Sequence, residues 1–299
     1  MAQRRISSLH DTNEGGNTLK IRFWGTRGSI PTPGPETAKY GGNTTCVEVR
    51  LDDGTLIIFD AGTGIRKLGL ALLRENFRQT INLFLTHSHW DHIQGFPFFE
   101  PADDPEMKIN ILGCKLTYGK LREILTYQME SKYFPVNFSD LKADITFKEI
   151  NPGVHPIGSG NLSFLQLNHP GTAYGFKLED NSHTLVFLTD NELLPPGQIT
   201  TDWNTFVQFC RNADVLIHDA MWTREEAKAR AGWGHSSVDQ VIKLALNANV
   251  KQHLILFHHD PERTDSMLDL VGAECNQKLD SNSNGLDCAV AREGGEIIL

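Results

Sequence analysis

The chain has 299 residues, 39% hydrophobic and 22% charged, which is enough apolar material for one large core or two small ones. Its formal net charge of −9 disfavours nucleic acid as a bulk partner, because an acidic surface repels phosphate backbones. The five cysteines, Cys46, Cys114, Cys210, Cys275 and Cys288, form no Cys-x-x-Cys pair and read as reduced thiols; with no apolar run of membrane-span length, a cytoplasmic location without a membrane partner is expected.

Residues 1–18 are polar and aperiodic and read as a disordered leader, which leaves 19–299 as a single domain. From there the pattern is strand-rich: 19–24, 45–51 and 56–59 are short apolar runs between Gly-, Pro- and Asp-containing turns. A helical period over 65–77 is followed by a strand over 81–85, a strand over 107–112 and a helix over 117–129. The second half continues with strands over 145–150, 162–167, 173–178 and 184–188, then strands over 215–217 and 253–257 among helices over 203–211, 224–231, 238–246 and 262–278. Ser237-x-x-Gln240 predicts a capping box for the helix after His235. Two β-rich halves, each followed by helices, predict an α/β protein in which two sheets pack together with helices outside.

Chemistry-bearing residues gather at strand ends. His87 and His89 follow the 81–85 run, His169 follows 162–167, Asp190 follows 184–188, His218 follows 215–217 and His258 follows 253–257. The densest group is His87-Ser88-His89-Trp90-Asp91-His92. Side chains two apart in an extended loop point the same way, so His87 and His89 can chelate one ion while Asp91 and His92 turn toward a second. Imidazole nitrogens with carboxylate oxygens suit zinc, and manganese is also compatible with such a set.

His-x-His-x-Asp-His after an apolar strand and a threonine resembles the signature of the metallo-β-lactamase superfamily. Phe59-Asp60-Ala61-Gly62-Thr63-Gly64, Asn168-His169-Pro170, Leu188-Thr189-Asp190 and Phe257-His258 resemble its other motifs, in the same order. The resemblance implies a four-layer αβ/βα sandwich, two mixed β-sheets flanked by helices, with two divalent metal ions at one edge. It further implies that His87, His89 and His169 hold one metal, that Asp91, His92 and His258 hold the other, and that Asp190 bridges both, with a bridging hydroxide as nucleophile. Asp60 is expected to support the metal loop through hydrogen bonds. Redox members of the superfamily replace the second histidine by glutamate; His89 is intact here, which favours hydrolysis.

Gly234-His235-Ser236-Ser237 resembles the His-Ser-Thr element of the superfamily's phosphodiesterase branch, which includes the tRNA 3′-processing endonucleases. Ile217-His218-Asp219-Ala220 resembles its His-Glu-Ala-Thr element, with aspartate in place of glutamate. The resemblance implies that His235 protonates the leaving oxygen and Asp219 orients it. His218 could instead be a buried structural residue. Arg27, in Gly25-Thr26-Arg27-Gly28, could contact a substrate phosphate or form an internal ion pair, His259 could face substrate or solvent, and Trp90 is expected to pack near the metals.

His169 and Asp190 are only 21 positions apart, room for a hairpin but not for the protruding arm of bacterial tRNA endonucleases. With the acidic charge, this gap predicts a small substrate: a cyclic phosphodiester such as a cyclic nucleotide or phosphoribosyl cyclic phosphate, no stable nucleic-acid complex, and a homodimer. The alternatives are a tRNA 3′-processing endonuclease, a lactonase or thioesterase of the same fold, and a metal-binding regulatory protein.

Overall fold

Strands that are apolar on both faces need cover on both sides, and that requirement sets the architecture. The computed structural model describes residues 18–151, 153–280 and 285–299, so the leader expected over 1–18 lies outside the described residues apart from Thr18. In chain order the strands are β1 (Lys20–Gly25), β2 (Cys46–Arg50), β3 (Leu56–Phe59), β4 (Ile81–Phe84), β5 (Lys108–Cys114), β6 (Asp144–Ile150), β7 (Val154–Ile157), β8 (Gly160–Gln166), β9 (Tyr174–Asp180), β10 (His183–Leu188), β11 (Val215–Asp219), β12 (His253–Phe257), β13 (Asp287–Val290) and β14 (Glu296–Ile298). The helices are α1 (Ile65–Arg74), α2 (Trp90–Ile93), α3 (Lys115–Tyr127), α4 (Trp203–Phe209), α5 (Arg224–Ala229), α6 (Val238–Asn247) and α7 (Asp265–Asp280).

Among the described residues the strands form two seven-stranded sheets, ordered β14-β1-β2-β3-β4-β5-β6 and β13-β12-β11-β10-β9-β8-β7. Each is mixed. The first is antiparallel from β14 to β3 and parallel from β3 to β6. The second is parallel from β13 to β10 and antiparallel from β10 to β7.

The period-2 geometry of the strands divides their apolar residues between two environments. Ile57 and Phe59 of β3, Leu185 and Phe187 of β10, and Ile255 and Phe257 of β12 face the space between the sheets. Leu56 and Ile58 face the α1 side, and Val186, Leu188, Leu254 and Leu256 face the α6 and α7 side. The result is the four-layer αβ/βα sandwich. Its inter-sheet core centres on Phe59, which stacks on Phe176 and Phe187 with ring centroids 5.1 and 5.2 Å away. Helix α1 buries Ile65, Leu68 and Leu72 against the first sheet, and α6 buries Val241, Ile242, Leu244 and Ala245 against the second. The capping box is present: Gln240 Oε1 accepts from the Ser237 amide at 2.9 Å, and Ser237 Oγ accepts from the Gln240 amide.

Three strands differ from the sequence expectation: β7, β13 and β14 lie on sheet edges, where one-sided burial leaves no apolar run to read. The cysteine reading also needs correction. Cys275 and Cys288 form a disulfide, because α7 packs on β13 and brings their Cα atoms within 6.1 Å. Cys46, Cys114 and Cys210 are buried and in no disulfide. Between residues 101 and 156 the chain supplies β5, α3 and β6 to the first sheet and its cover. The interval between His169 and Asp190 holds the expected β9–β10 hairpin. No helix among the described residues is long and apolar enough to cross a membrane.

Phe59→Ala removes the centre of the aromatic stack and is expected to destabilise the fold by about 3–5 kcal/mol. A lowered urea midpoint with an unchanged m value checks this; a change under about 1 kcal/mol would show that the core closes over the gap.

Candidate metal centre

Parallel strands deliver their following loops to one sheet edge, the usual place for a site in such sheets. The loop after β4 carries His87 and His89, and the single turn of α2 adds Asp91 and His92. His169 follows β8, Asp190 follows β10, Asp219 ends β11 and His258 follows β12. Asp60, Asp190 and His258 have φ of 65°, 55° and 56°, a left-handed conformation that costs non-glycine residues energy and is tolerated where the surroundings impose it. Gly28 comes so close to His258 that a Cβ there would lie 2.4 Å from its Cε1, so any side chain would push the imidazole aside.

Two donor clusters result. In the first, His87 Nε2 and His169 Nε2 each lie 3.8 Å from Asp190 Oδ1, and His89 Nδ1 lies 3.1 Å from His169 Nε2. In the second, His92 Nε2 lies 3.3 Å from Asp91 Oδ2 and 3.1 Å from Asp190 Oδ2, and His258 Nε2 lies 3.1 and 3.2 Å from the same two oxygens. Asp190 therefore offers one oxygen to each cluster. Within each cluster the donor atoms lie within 4.8 Å of one another.

The residues fit divalent metal ions by a direct criterion. His87 Nε2 and His92 Nε2 are buried, aimed into the clusters and without a hydrogen-bond partner, a costly arrangement unless a cation accepts the lone pairs. The tautomers agree. His92 Nδ1 donates to Asp60 Oδ2 at 2.8 Å and His169 Nδ1 donates to the Gly234 carbonyl at 3.0 Å, so each leaves Nε2 as a lone-pair donor. Thr86 Oγ1 lies 3.0 Å from His87 Nδ1 and donates to Asp60, so one threonine and one aspartate brace two of the candidate ligands. Nothing in this nitrogen and oxygen set selects zinc over manganese.

The electrostatics favour positive charge. Burial pushes His92 down, but Asp190, Asp91 and Asp60 outweigh it and hold its pKa well above the ordinary value. Burial alone would raise Asp190, but His258 and His92 hold it well below the carboxylate range. Burial dominates at His87, whose pKa falls well below normal, and at His169, pushed down to about 4. These two imidazoles are neutral at physiological pH, as metal ligation requires.

Beside the clusters stands a dyad. His235 Nδ1 donates to Asp219 Oδ2 at 2.6 Å, so the missing methylene of aspartate opens no gap. Asp219 is fully buried, and its oxygens also accept from the amides of Asn191, Met221 and Ser236. The His235 ring stacks on His258 at 5.1 Å. Burial lowers the His235 pKa, but the Asp219 carboxylate outweighs burial and pushes it up to about 9, so the imidazole is a cation at neutral pH.

Other expectations are corrected. Arg27 has no exposed surface; its guanidinium donates to the carbonyls of Gly41, Asp260 and Arg263, tying the loop after β1 to the loop after β12, and cannot reach a substrate phosphate. His259 is buried, with Nε2 donating to the Ala291 carbonyl and burial pushing it down to about 3, so it faces neither substrate nor solvent. His218, by contrast, is buried as one of its two readings expected, with Nδ1 donating to the Asp219 carbonyl. Trp90 is 78% exposed instead of packed beside the clusters. The bracing role of Thr86 was missed; its one signal in the sequence is its place between the strand and His87.

Residues 55–259 match the family model of the beta-lactamase superfamily domain. The chain belongs to the beta-lactamase superfamily. Within it, the chain is similar to ribonuclease Z of Picrophilus torridus, 26% identical over 287 residues that cover 83% of this chain and 88% of that one. Ribonuclease Z of Thermoplasma acidophilum is 24% identical, covering 86% and 91%, and that of Enterococcus faecalis is 26% identical, covering 80% and 86%. Among solved structures, the metallo-beta-lactamase fold protein YhfI from Bacillus subtilis matches with a TM-score of 0.70 at 19% identity, covering 95% of this chain and all of that one. The short form of human tRNase Z matches with a TM-score of 0.63 at 18% identity, covering 93% and 98%. These two likenesses show the metallo-β-lactamase fold. The ribonuclease Z relatives overturn the expectation of a small cyclic substrate and no nucleic-acid complex. That expectation leaned on the short interval between His169 and Asp190, which excludes only one kind of arm, and on net charge, which sums the whole surface and says little about the local field at the site.

Asp60→Ala leaves His92 and Thr86 unbraced and is expected to weaken divalent-metal binding roughly 10–100-fold. Competition against a chromogenic chelator measures it; unchanged affinity would show that Asp60 does not orient His92.

Proposed function

We propose that this superfamily member is a two-metal ribonuclease that cleaves RNA phosphodiesters, with precursor tRNA 3′ ends as its substrate. The observation that carries the reading is the His235–Asp219 dyad beside the paired donor clusters, in a chain whose ribonuclease Z relatives align over four-fifths or more of its length. In this reading His87, His89 and His169 would hold one divalent cation, Asp91, His92 and His258 the other, and Asp190 both. Such cations would neutralise phosphoryl oxygens and lower the pKa of a water molecule.

The protein's own groups do the rest. Asp219 accepts the hydrogen bond from Nδ1–H and so directs the second proton of the His235 imidazolium, on Nε2, toward the leaving ribose oxygen. An alkoxide is a poor leaving group, and a positioned acid matters most for such a group. Asn191, Met221 and Ser236 hold Asp219 by its oxygens, so the carboxylate that orients the imidazole is itself fixed. The β9–β10 hairpin provides no arm, which leaves contact with the tRNA body to other surfaces.

Metal-loaded protein is expected to shorten precursor tRNA; hydrolysis of lactones or thioesters with no RNA cleavage would overturn the reading. His235→Ala is expected to keep both cations and lose roughly 10²–10⁴-fold in kcat on RNA; wild-type turnover in this variant would remove His235 as the acid. The sign of the pH dependence follows from the raised pKa. The imidazolium is the active form, so kcat/KM falls as pH rises through the pKa, at or below about 9 because bound cations repel the imidazolium. A pH–rate profile checks this, and the alkaline limb should vanish in His235→Ala.

A further inference from the structure

Glu192 lies two residues beyond Asp190 and belongs to neither donor cluster. It is nevertheless almost fully buried, and both its main chain and its carboxylate are spoken for. Its amide donates to the Asn168 carbonyl at 2.9 Å, and its own carbonyl accepts from Asn168 Nδ2 at 3.1 Å. That double bond ladder joins the loop of Asp190 to the loop of His169. The carboxylate reaches a third loop. Both of its oxygens accept from the Gly232 amide at 3.0 Å, and Oε2 also accepts from the Gly234 amide at 3.0 Å.

The third loop carries His235. Gly234 has φ of 88°, and a Cβ there would lie 2.2 Å from His169 Nδ1, so the position admits only glycine. The Gly234 carbonyl is also the acceptor for His169 Nδ1. A segment with glycines at positions 232 and 234 has little conformational preference of its own and takes its shape from outside contacts. On the downstream side of His235 those contacts are Ser236 Oγ donating to the Asn191 carbonyl and the Ser236 amide donating to Asp219. On the upstream side they are the bonds from Glu192.

We propose that Glu192 is a positioning residue that registers the His235 acid against the metal centre, by clamping the amides of Gly232 and Gly234 to the turn that carries Asp190. The inference rests on the reading of His235 as the acid in RNA cleavage. Asp219 fixes the rotation of the imidazole; Glu192 fixes the path of the backbone that presents it. Charge-assisted bonds to two amides make the carboxylate a stiffer clamp than a neutral acceptor.

The test compares two leaving groups in the metal-loaded full chain. The ribose alkoxide of RNA needs a proton as it departs, whereas p-nitrophenolate from bis-p-nitrophenyl phosphate departs without one. In Glu192→Ala, kcat on RNA is expected to fall on the order of 10–100-fold with KM within about threefold, while kcat on the aryl ester falls by less than about threefold. Glu192→Gln, which keeps the volume and one carbonyl acceptor, is expected to recover part of the RNA activity, and it carries the same contrast at smaller amplitude if the alanine variant folds poorly. Equal losses on both esters, or undiminished RNA cleavage, would overturn the clamp while leaving the ribonuclease reading intact. A wild-type chain that cleaves no RNA would overturn both.

Discussion

Asp190 is buried, held in the left-handed backbone region, and turned so that Oδ1 faces one histidine cluster and Oδ2 the other. A carboxylate in that position is tolerable only amid positive charge, so every nearby group is arranged around its neutralisation. His92 and His258 approach one oxygen, His87 and His169 the other. The next three residues continue outward from the same turn. Asn191 donates to Asp219, Glu192 to Asn168, and Leu193 to Ser236. One turn after β10 thus organises the candidate ligands and the candidate acid together.

The dyad shows how two similar groups acquire different charge states a few ångströms apart. His169 and His235 lie with ring centroids 5.4 Å apart, and both are largely buried. His169 donates to a neutral carbonyl and burial leaves it unprotonated, while His235 faces a carboxylate and keeps its proton. Within this pair, a carbonyl on Nδ1 goes with a lone pair at Nε2 and a carboxylate on Nδ1 with a retained proton.

The cluster from His87 to His92 and the strand-end positions of Asp190 and His258 were legible because each follows a strand largely buried on both faces, which reads as an apolar run; His169 follows the only partly buried β8 and was legible through the Asn168-His169-Pro170 motif. The edge strands β7 and β14 lacked that signal: Val154 is largely exposed, Pro156 interrupts its short run, and β14 has three residues. Arg27 and His259 were misplaced because nothing local tells an inward guanidinium or imidazole from an outward one; the carbonyls that satisfy them lie far along the chain. Glu192 was invisible for the same reason, since a carboxylate after a strand reads as solvated until the loop forty residues on is folded against it. The helix-to-strand disulfide likewise depends on packing that spacing does not encode.

The two sheets have mirrored strand orders, and each contributes to the centre from its own half of the chain. His87, His89, Asp91 and His92 come from the first sheet's loops, and His169, Asp190 and His258 from the second's. Neither half carries a complete donor set. Cations bound there would act as a fastener across the sandwich, present in the folded state and absent from the unfolded one. Their free concentration would then enter the unfolding equilibrium through mass action, adding about 2.7 kcal/mol at a hundred times the dissociation constant. Resistance to denaturation in such a chain becomes a property shared between the protein and the ionic composition of its surroundings.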